Sequence, residues 1–221
     1  MDLRNKKVAF LGDSITEGLG VSDIANRYDN VIKKLYGLKE VFNYGISGSR
    51  LAHQRIPSEK PRFDLCFCGR AYNINPEADV IVVYGGVNDY IHGDAPIGAI
   101  GDKTPATFYG AVWFLMDLLK QTYNAKIVFL TPARCCRDFS DEEPSTRVQK
   151  HKNALPLIEY VKIIENTAKE FDIPVLNLYD NLGINPNIEE DKVKYTVDGL
   201  HFNDDGQYIL AKCVGEFLTS L

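Results

Sequence analysis

Five short apolar runs, rich in β-branched and aromatic residues, recur at residues 7–11, 41–44, 80–84, 126–130 and 175–178, with segments of helical spacing between them. That alternation constrains the fold most. Strands joined by helical crossovers lie parallel, and a parallel sheet covered on both faces gives near-continuous apolar runs rather than alternating ones. Tyr28, Val31, Ile32, Leu35 and Tyr36 predict one helix, and Phe108, Val112, Leu115, Met116 and Leu119 a longer one. A further helix is expected from about Asn153 as its cap, with Pro156 in the first turn and Leu157, Val161, Ile164 and Ala168 as its buried stripe. The last opens after Asn203, where Asp204 and Gln207 have capping-box spacing.

The 221 residues are enough for one well-buried core and few for two. No repeat, low-complexity tract or linker interrupts the chain, so residues 1–221 read as a single domain. The net charge of −5 and dispersed basic residues argue against nucleic acid or an anionic membrane as partner, since both require a basic face. A polar start, Met1 to Lys7, runs into only a short strand, so it does not read as a secretory segment, and no run approaches the ~20 apolar residues of a membrane span. A cytoplasmic protein is the simplest expectation, although a chain that had lost a leader would read the same. Cys66, Cys68, Cys135, Cys136 and Cys213 are odd in number and lack disulfide-framework or zinc-site spacing, so plain thiols are expected.

Four turns carry the chemistry. Gly12-Asp13-Ser14-Ile15 follows the first apolar run directly, where open α/β sheets place ligands, and would expose the Ser14 hydroxyl and its N–H at the sheet edge. Asn43-Tyr44-Gly45-Ile46-Ser47-Gly48 follows the second, and Gly45 would let a backbone N–H approach a ligand. Gly85-Gly86-Val87-Asn88-Asp89 follows the third, and the Asn88 amide is a neutral donor suited to a developing oxyanion. Asp198-Gly199-Leu200-His201 puts a carboxylate three residues before an imidazole, so one turn could present base and orienter to a serine. His53, His92 and His151 have no carboxylate so placed. Each turn alone reads equally as a plain turn. Together they supply nucleophile, base, orienter and oxyanion donors at one edge of the sheet.

These motifs, in this order from Gly12 to His201, resemble the GDSL or SGNH hydrolase family of serine esterases and lipases. The resemblance implies a flavodoxin-like three-layer α/β/α fold with a five-stranded, mainly parallel sheet, and no cofactor or metal. It also implies Ser14 as nucleophile, His201 as base and Asp198 as orienter, with an oxyanion hole from the Ser14 and Gly45 N–H groups and the Asn88 side chain. Ile15 stands where the family name has leucine, and Phe202 where proline often follows the histidine.

No serine satisfies G-x-S-x-G, which excludes the common α/β-hydrolase pattern. A non-catalytic receiver-type signalling domain would need an acidic phosphoacceptor after strand three and a lysine after strand five, where the chain has Tyr84-Gly85-Gly86 and Asn177-Leu178-Tyr179-Asp180. The expected partner is a small-molecule ester, short-acyl such as an acetylated sugar, because no apolar lid or membrane-surface stretch stands out. A lysophospholipase or acyl thioesterase of the same family is the alternative, and homo-oligomer formation is left open. Asp13, Asp89, Tyr90 and Arg134 are candidates for touching substrate. Two long connections, 55–75 and the charged 133–152 with Arg134 and Arg137, would shape the site or lie on the surface. Residues 89–101 are expected to lie beside the oxyanion hole, without forming a lid helix.

Overall fold

The computed structural model describes residues 1–136, 138 and 155–221. Its strands are β1 (Lys7–Gly12), β2 (Glu40–Gly45), β3 (Val80–Tyr84), β4 (Lys126–Leu130) and β5 (Val175–Leu176). They form one parallel sheet in the order β2-β1-β3-β4-β5. The helices are α1 (Ser14–Glu17), α2 (Tyr28–Tyr36), α3 (Phe67–Arg70), α4 (Val87–His92), α5 (Phe108–Thr122), α6 (Leu157–Glu170), α7 (Leu178–Asn181), α8 (Glu189–Tyr195) and α9 (Asp204–Ser220). This is the doubly wound α/β architecture, whose ligands gather where the strand order reverses, here between β1 and β3.

Side chains along each strand alternate between two cores. Ala9, Leu11, Ile81, Val83, Ile127 and Phe129 pack with α5 and α6, including Leu115, Met116, Val161 and Ile164. Val8, Phe10, Val80, Val82, Val128 and Leu130 face the other way, onto Tyr28 and Ile32 of α2 and Leu210, Val214 and Leu218 of α9. Each such fully buried aliphatic contributes roughly 1.5–3 kcal/mol of transfer free energy, which holds the carboxyl edge of the sheet rigid under the loops.

Several expectations are corrected. The β2 strand is only half-buried because it is the sheet edge. The fifth strand stops at Leu176, since the Asn177 side chain accepts from Asp180 N–H and starts α7. In α6, Pro156 is itself the cap position and the first helical residue is Leu157. The expected cap Asn153 lies outside the described residues, as do Arg137 and His151. For α9 the cap is Asn203, whose side chain accepts from Gly206 N–H. Asp204 instead accepts from Ser22 and Asn26, and Gln207 is fully buried, accepting from Tyr28 N–H (2.9 Å) and donating to Ile15 carbonyl (3.3 Å). The connection 55–75 carries α3 and two short 3-10 turns, with Cys66 and Cys68 buried. None of the five cysteines forms a disulfide among the described residues. Of the segment 89–101, residues 89–92 complete the short helix α4. Among the described residues no helix is long and apolar enough to cross a membrane.

Candidate active site

Ser14 is the first residue of α1, immediately beyond β1 and Asp13. Its Oγ lies 2.9 Å from His201 Nε2, and His201 Nδ1 lies 2.7 Å from Asp198 Oδ2. A carboxylate accepts only, so Nδ1 carries the proton and Nε2 offers its lone pair to the Ser14 hydroxyl. Asp198 and His201 share one tight turn, which Gly199 makes possible at φ +80°. That turn is tied down by Asp198 Oδ1 accepting from Leu200 and His201 N–H (3.0 and 2.8 Å), by Gly199 N–H on Thr196 Oγ1 (2.9 Å), and by Cys136 N–H on Gly199 carbonyl (2.8 Å). Burial pushes the Asp198 carboxyl up, but the backbone N–H, ring and charge of His201 and the Leu200 N–H outweigh it and hold it below its ordinary value.

The turn after β2 leaves a backbone N–H uncommitted, though not at the residue expected. Gly45 N–H is taken by Asn43 Oδ1 at 2.9 Å. A Cβ there would meet Glu17 backbone N at 2.1 Å, so Gly45 serves the close passage of β2 under α1. Ile46 N–H bonds Gly12 carbonyl, Ser47 N–H bonds Glu17 Oε2, and Ser49 N–H bonds Ile46 carbonyl. Among residues 45–49, Gly48 alone, held at φ +74°, has an N–H without an intramolecular partner among the described residues. Its neighbour's carbonyl, on Ser49, accepts from Asn88 Nδ2 at 3.1 Å, which places Gly48 beside the Asn88 amide. The Ser14 N–H is likewise uncommitted. Nothing in the six-residue stretch 43–48 distinguished one glycine from the other, because the choice depends on which N–H the folded loop leaves over.

The four candidate substrate contacts each have partners within the fold. Asp13 is buried and accepts from Ile15 N–H at 3.0 Å, capping α1. Its loss of water pushes its carboxyl up to about 7, against the Ile15 N–H and the Arg70 charge. Asp89 is buried and accepts from Leu51 and Ala52 N–H (2.9 and 3.0 Å), pinning the loop after Gly48 to α4. Tyr90 is core, packed edge-on to Tyr160. Arg134 stacks on the Tyr179 ring at 4.0 Å, donates to Tyr179 carbonyl, and pairs with Asp180 at 3.3 Å. Arg70, which no sequence motif marks, donates to the Gly12 and Tyr44 carbonyls and to Ser49 Oγ, joining the ends of β1 and β2 to the loop at Ser49. No group of three or more metal-ligating side chains occurs among the described residues.

A serine, a histidine and an aspartate in one hydrogen-bonded line, at the switch point of a parallel α/β sheet, form the layout of a serine hydrolase. Residues 10–209 match the GDSL-like Lipase/Acylhydrolase family. The chain belongs to that family, and it is a carboxylic ester hydrolase. Its fold is similar to that of a Lactobacillus plantarum protein (29% identity, 98% of each chain, TM-score 0.82). It is also similar to a possible lipase from Chitinophaga pinensis DSM 2588 (22% identity, 97% of this chain and 98% of that one, TM-score 0.68). A carbohydrate acetylesterase family member from Sinorhizobium meliloti shares the fold as well (16% identity, 97% and 98%, TM-score 0.62). No curated protein matches the chain.

Proposed function

We propose that the protein is a serine esterase that forms an acyl-enzyme on Ser14 and acts on short-acyl esters of soluble alcohols such as acetylated sugars. The observation that carries the catalytic part is the unbroken line Ser14 Oγ, His201, Asp198 at 2.9 and 2.7 Å. In this reading His201 Nε2 takes the Ser14 proton as Oγ attacks the ester carbonyl. The oxyanion is met by the N–H groups of Ser14 and Gly48 and the Asn88 amide. As the intermediate collapses, His201 returns the proton to the departing alcohol. Water, deprotonated by the same ring, then releases the acid and restores Ser14. Asp198 keeps the ring in its Nδ1–H tautomer and stabilises the imidazolium.

The short-acyl part is supported by α4, which turns Tyr90 and Ile91 into the core instead of offering them to an acyl chain. Leu19 and Val197, both about half exposed and each beside a member of the Ser14 and Asp198 turns, favour the second reading, a longer acyl group. A fluorophosphonate label followed by peptide mapping tests the first part, with modification expected on Ser14 and lost in Ser14→Ala. A chromogenic ester series tests the second. Here kcat/KM is expected to peak between acetyl and butyryl, whereas a rise through octanoyl, at up to about 0.8 kcal/mol per methylene, would establish the long-acyl reading.

A further inference from the structure

Asn88 does not stand alone. One turn further along α4 its Oδ1 lies 2.9 Å from His92 Nε2, the i,i+4 spacing that stacks two side chains on one helix face. On the far side of that ring, His92 Nδ1 receives Arg50 Nε at 3.1 Å and Arg50 Nη2 at 2.5 Å. A guanidinium has five donors and no acceptor, so Nδ1 must present a lone pair, Nε2 must carry the hydrogen, and Asn88 must turn its oxygen to His92. The amide nitrogen is then the atom that faces Ser49 carbonyl, and its second hydrogen remains for an oxyanion. Every choice of donor and acceptor in this chain follows from the cation at its end.

Arg50 is held where it can do this. The Asp89 carboxylate fastens the next two backbone N–H groups to α4, and Arg50 carbonyl accepts from Phe67 N–H at 2.8 Å. The side chain is buried, and among the described residues its Nη1 has no hydrogen-bond partner beyond a 3.7 Å approach to Asp64. Loss of water lowers the guanidinium from its ordinary value, while Asp89, Asp64 and Asp94 sustain its charge.

Resting on the oxyanion reading of Asn88, we infer that Arg50 and His92 are positioning residues forming a charge-assisted relay, guanidinium to imidazole to amide, that fixes and polarises the Asn88 donor. Donors aligned from a cation strengthen one another, by about a tenth to a third per bond, and that gain is largest when negative charge develops on the carbonyl oxygen. The relay therefore acts on kcat and leaves KM in place.

A double-mutant cycle separates this from the reading beneath it. Asn88→Ala is expected to lower kcat by about 10²–10³. His92→Ala and Arg50→Met should each lower kcat about tenfold at unchanged KM, with part of the loss recovered in His92→Gln, which retains a neutral donor. In the Asn88→Ala background, His92→Ala should add nothing. Imidazole ¹⁵N spectra of the native enzyme should show His92 in its Nε2–H tautomer, and Arg50→Met should lose that signature. A full rate in Asn88→Ala overturns the oxyanion reading. A slow Asn88→Ala beside a full-rate His92→Ala, or an equal His92→Ala loss in both backgrounds, overturns the relay alone.

Discussion

The two sides of Ser14 are each organised around an imidazole, and the two rings hold opposite tautomers. His201 has the Asp198 carboxylate behind Nδ1, so its Nε2 is an acceptor aimed at Ser14 Oγ. His92 has the Arg50 guanidinium behind Nδ1, so its Nε2 is a donor aimed at Asn88. The same ring is an acceptor on one side and a fixed donor on the other, and the difference lies in the charge of a single group one hydrogen bond away. Composition is silent on this, and so is a histidine's mere presence in a site.

The comparison breaks most visibly if the carboxylate is removed. Asp198→Asn presents an amide to His201 Nδ1 and can invert the tautomer, turning the ring's lone pair away from Ser14. We expect kcat to fall by about 10⁴ with the fold intact, as carboxylate-to-amide changes in serine triads do. Steady-state rates and the rate of fluorophosphonate labelling should fall together, and an unchanged rate would remove Asp198 from the mechanism.

The next effect falls on stability, and it contrasts two carboxylates that flank the nucleophile. Asp198 collects two backbone N–H groups and a ring N–H and is held low, whereas Asp13 is buried with one backbone N–H and is pushed up to about 7 from 3.8. A group whose folded pKa is raised favours the fold fully below its unfolded pKa and loses that contribution as pH rises through the folded value. Asp13 thus makes the fold less stable between about pH 4 and 7, by roughly 1.4 kcal/mol per unit and a few kcal/mol in all. Asp13→Asn keeps the cap acceptor without the charge, so its melting temperature should exceed the native one at pH 8 and converge with it at pH 4. A pH-independent difference would show that Asp13 is paired in the fold.

What the sequence disclosed follows from how local each feature is. Strands β3 and β4 match the apolar runs at 80–84 and 126–130 end for end because both faces are covered. The fifth run was misjudged because Leu178 is apolar as a helix residue too, and only the Asn177 cap decides between them. Asp198 and His201 were legible since one turn holds both. His92 and Arg50, 42 residues apart, meet only through the Asp89 anchor, and so no local pattern joins them. Gly48 was passed over for Gly45 because the loop's hydrogen bonds settle which donor is left.

That last substitution of one glycine for another gives the finest test of the oxyanion side. Gly48 sits at φ +74°, and an added Cβ would lie 2.6 Å from the Phe63 ring, a side chain that can yield somewhat. The left-handed conformation costs an alanine about 1–2 kcal/mol, which the loop can relieve by turning its N–H away from the carbonyl oxygen. Gly48→Ala should therefore lose about tenfold in kcat at unchanged KM, with a melting temperature lower by only about 2–8 °C. Gly45→Ala behaves differently, because its Cβ would meet Glu17 backbone N and Cα at 2.1 and 2.5 Å, where nothing can yield without parting β2 from α1. Its loss should appear first in stability, with the surviving folded fraction turning over near the native rate. The reverse pattern, a stable but slow Gly45→Ala and an unaffected Gly48→Ala, would return the backbone donor to Gly45 and require its N–H to leave Asn43 during turnover.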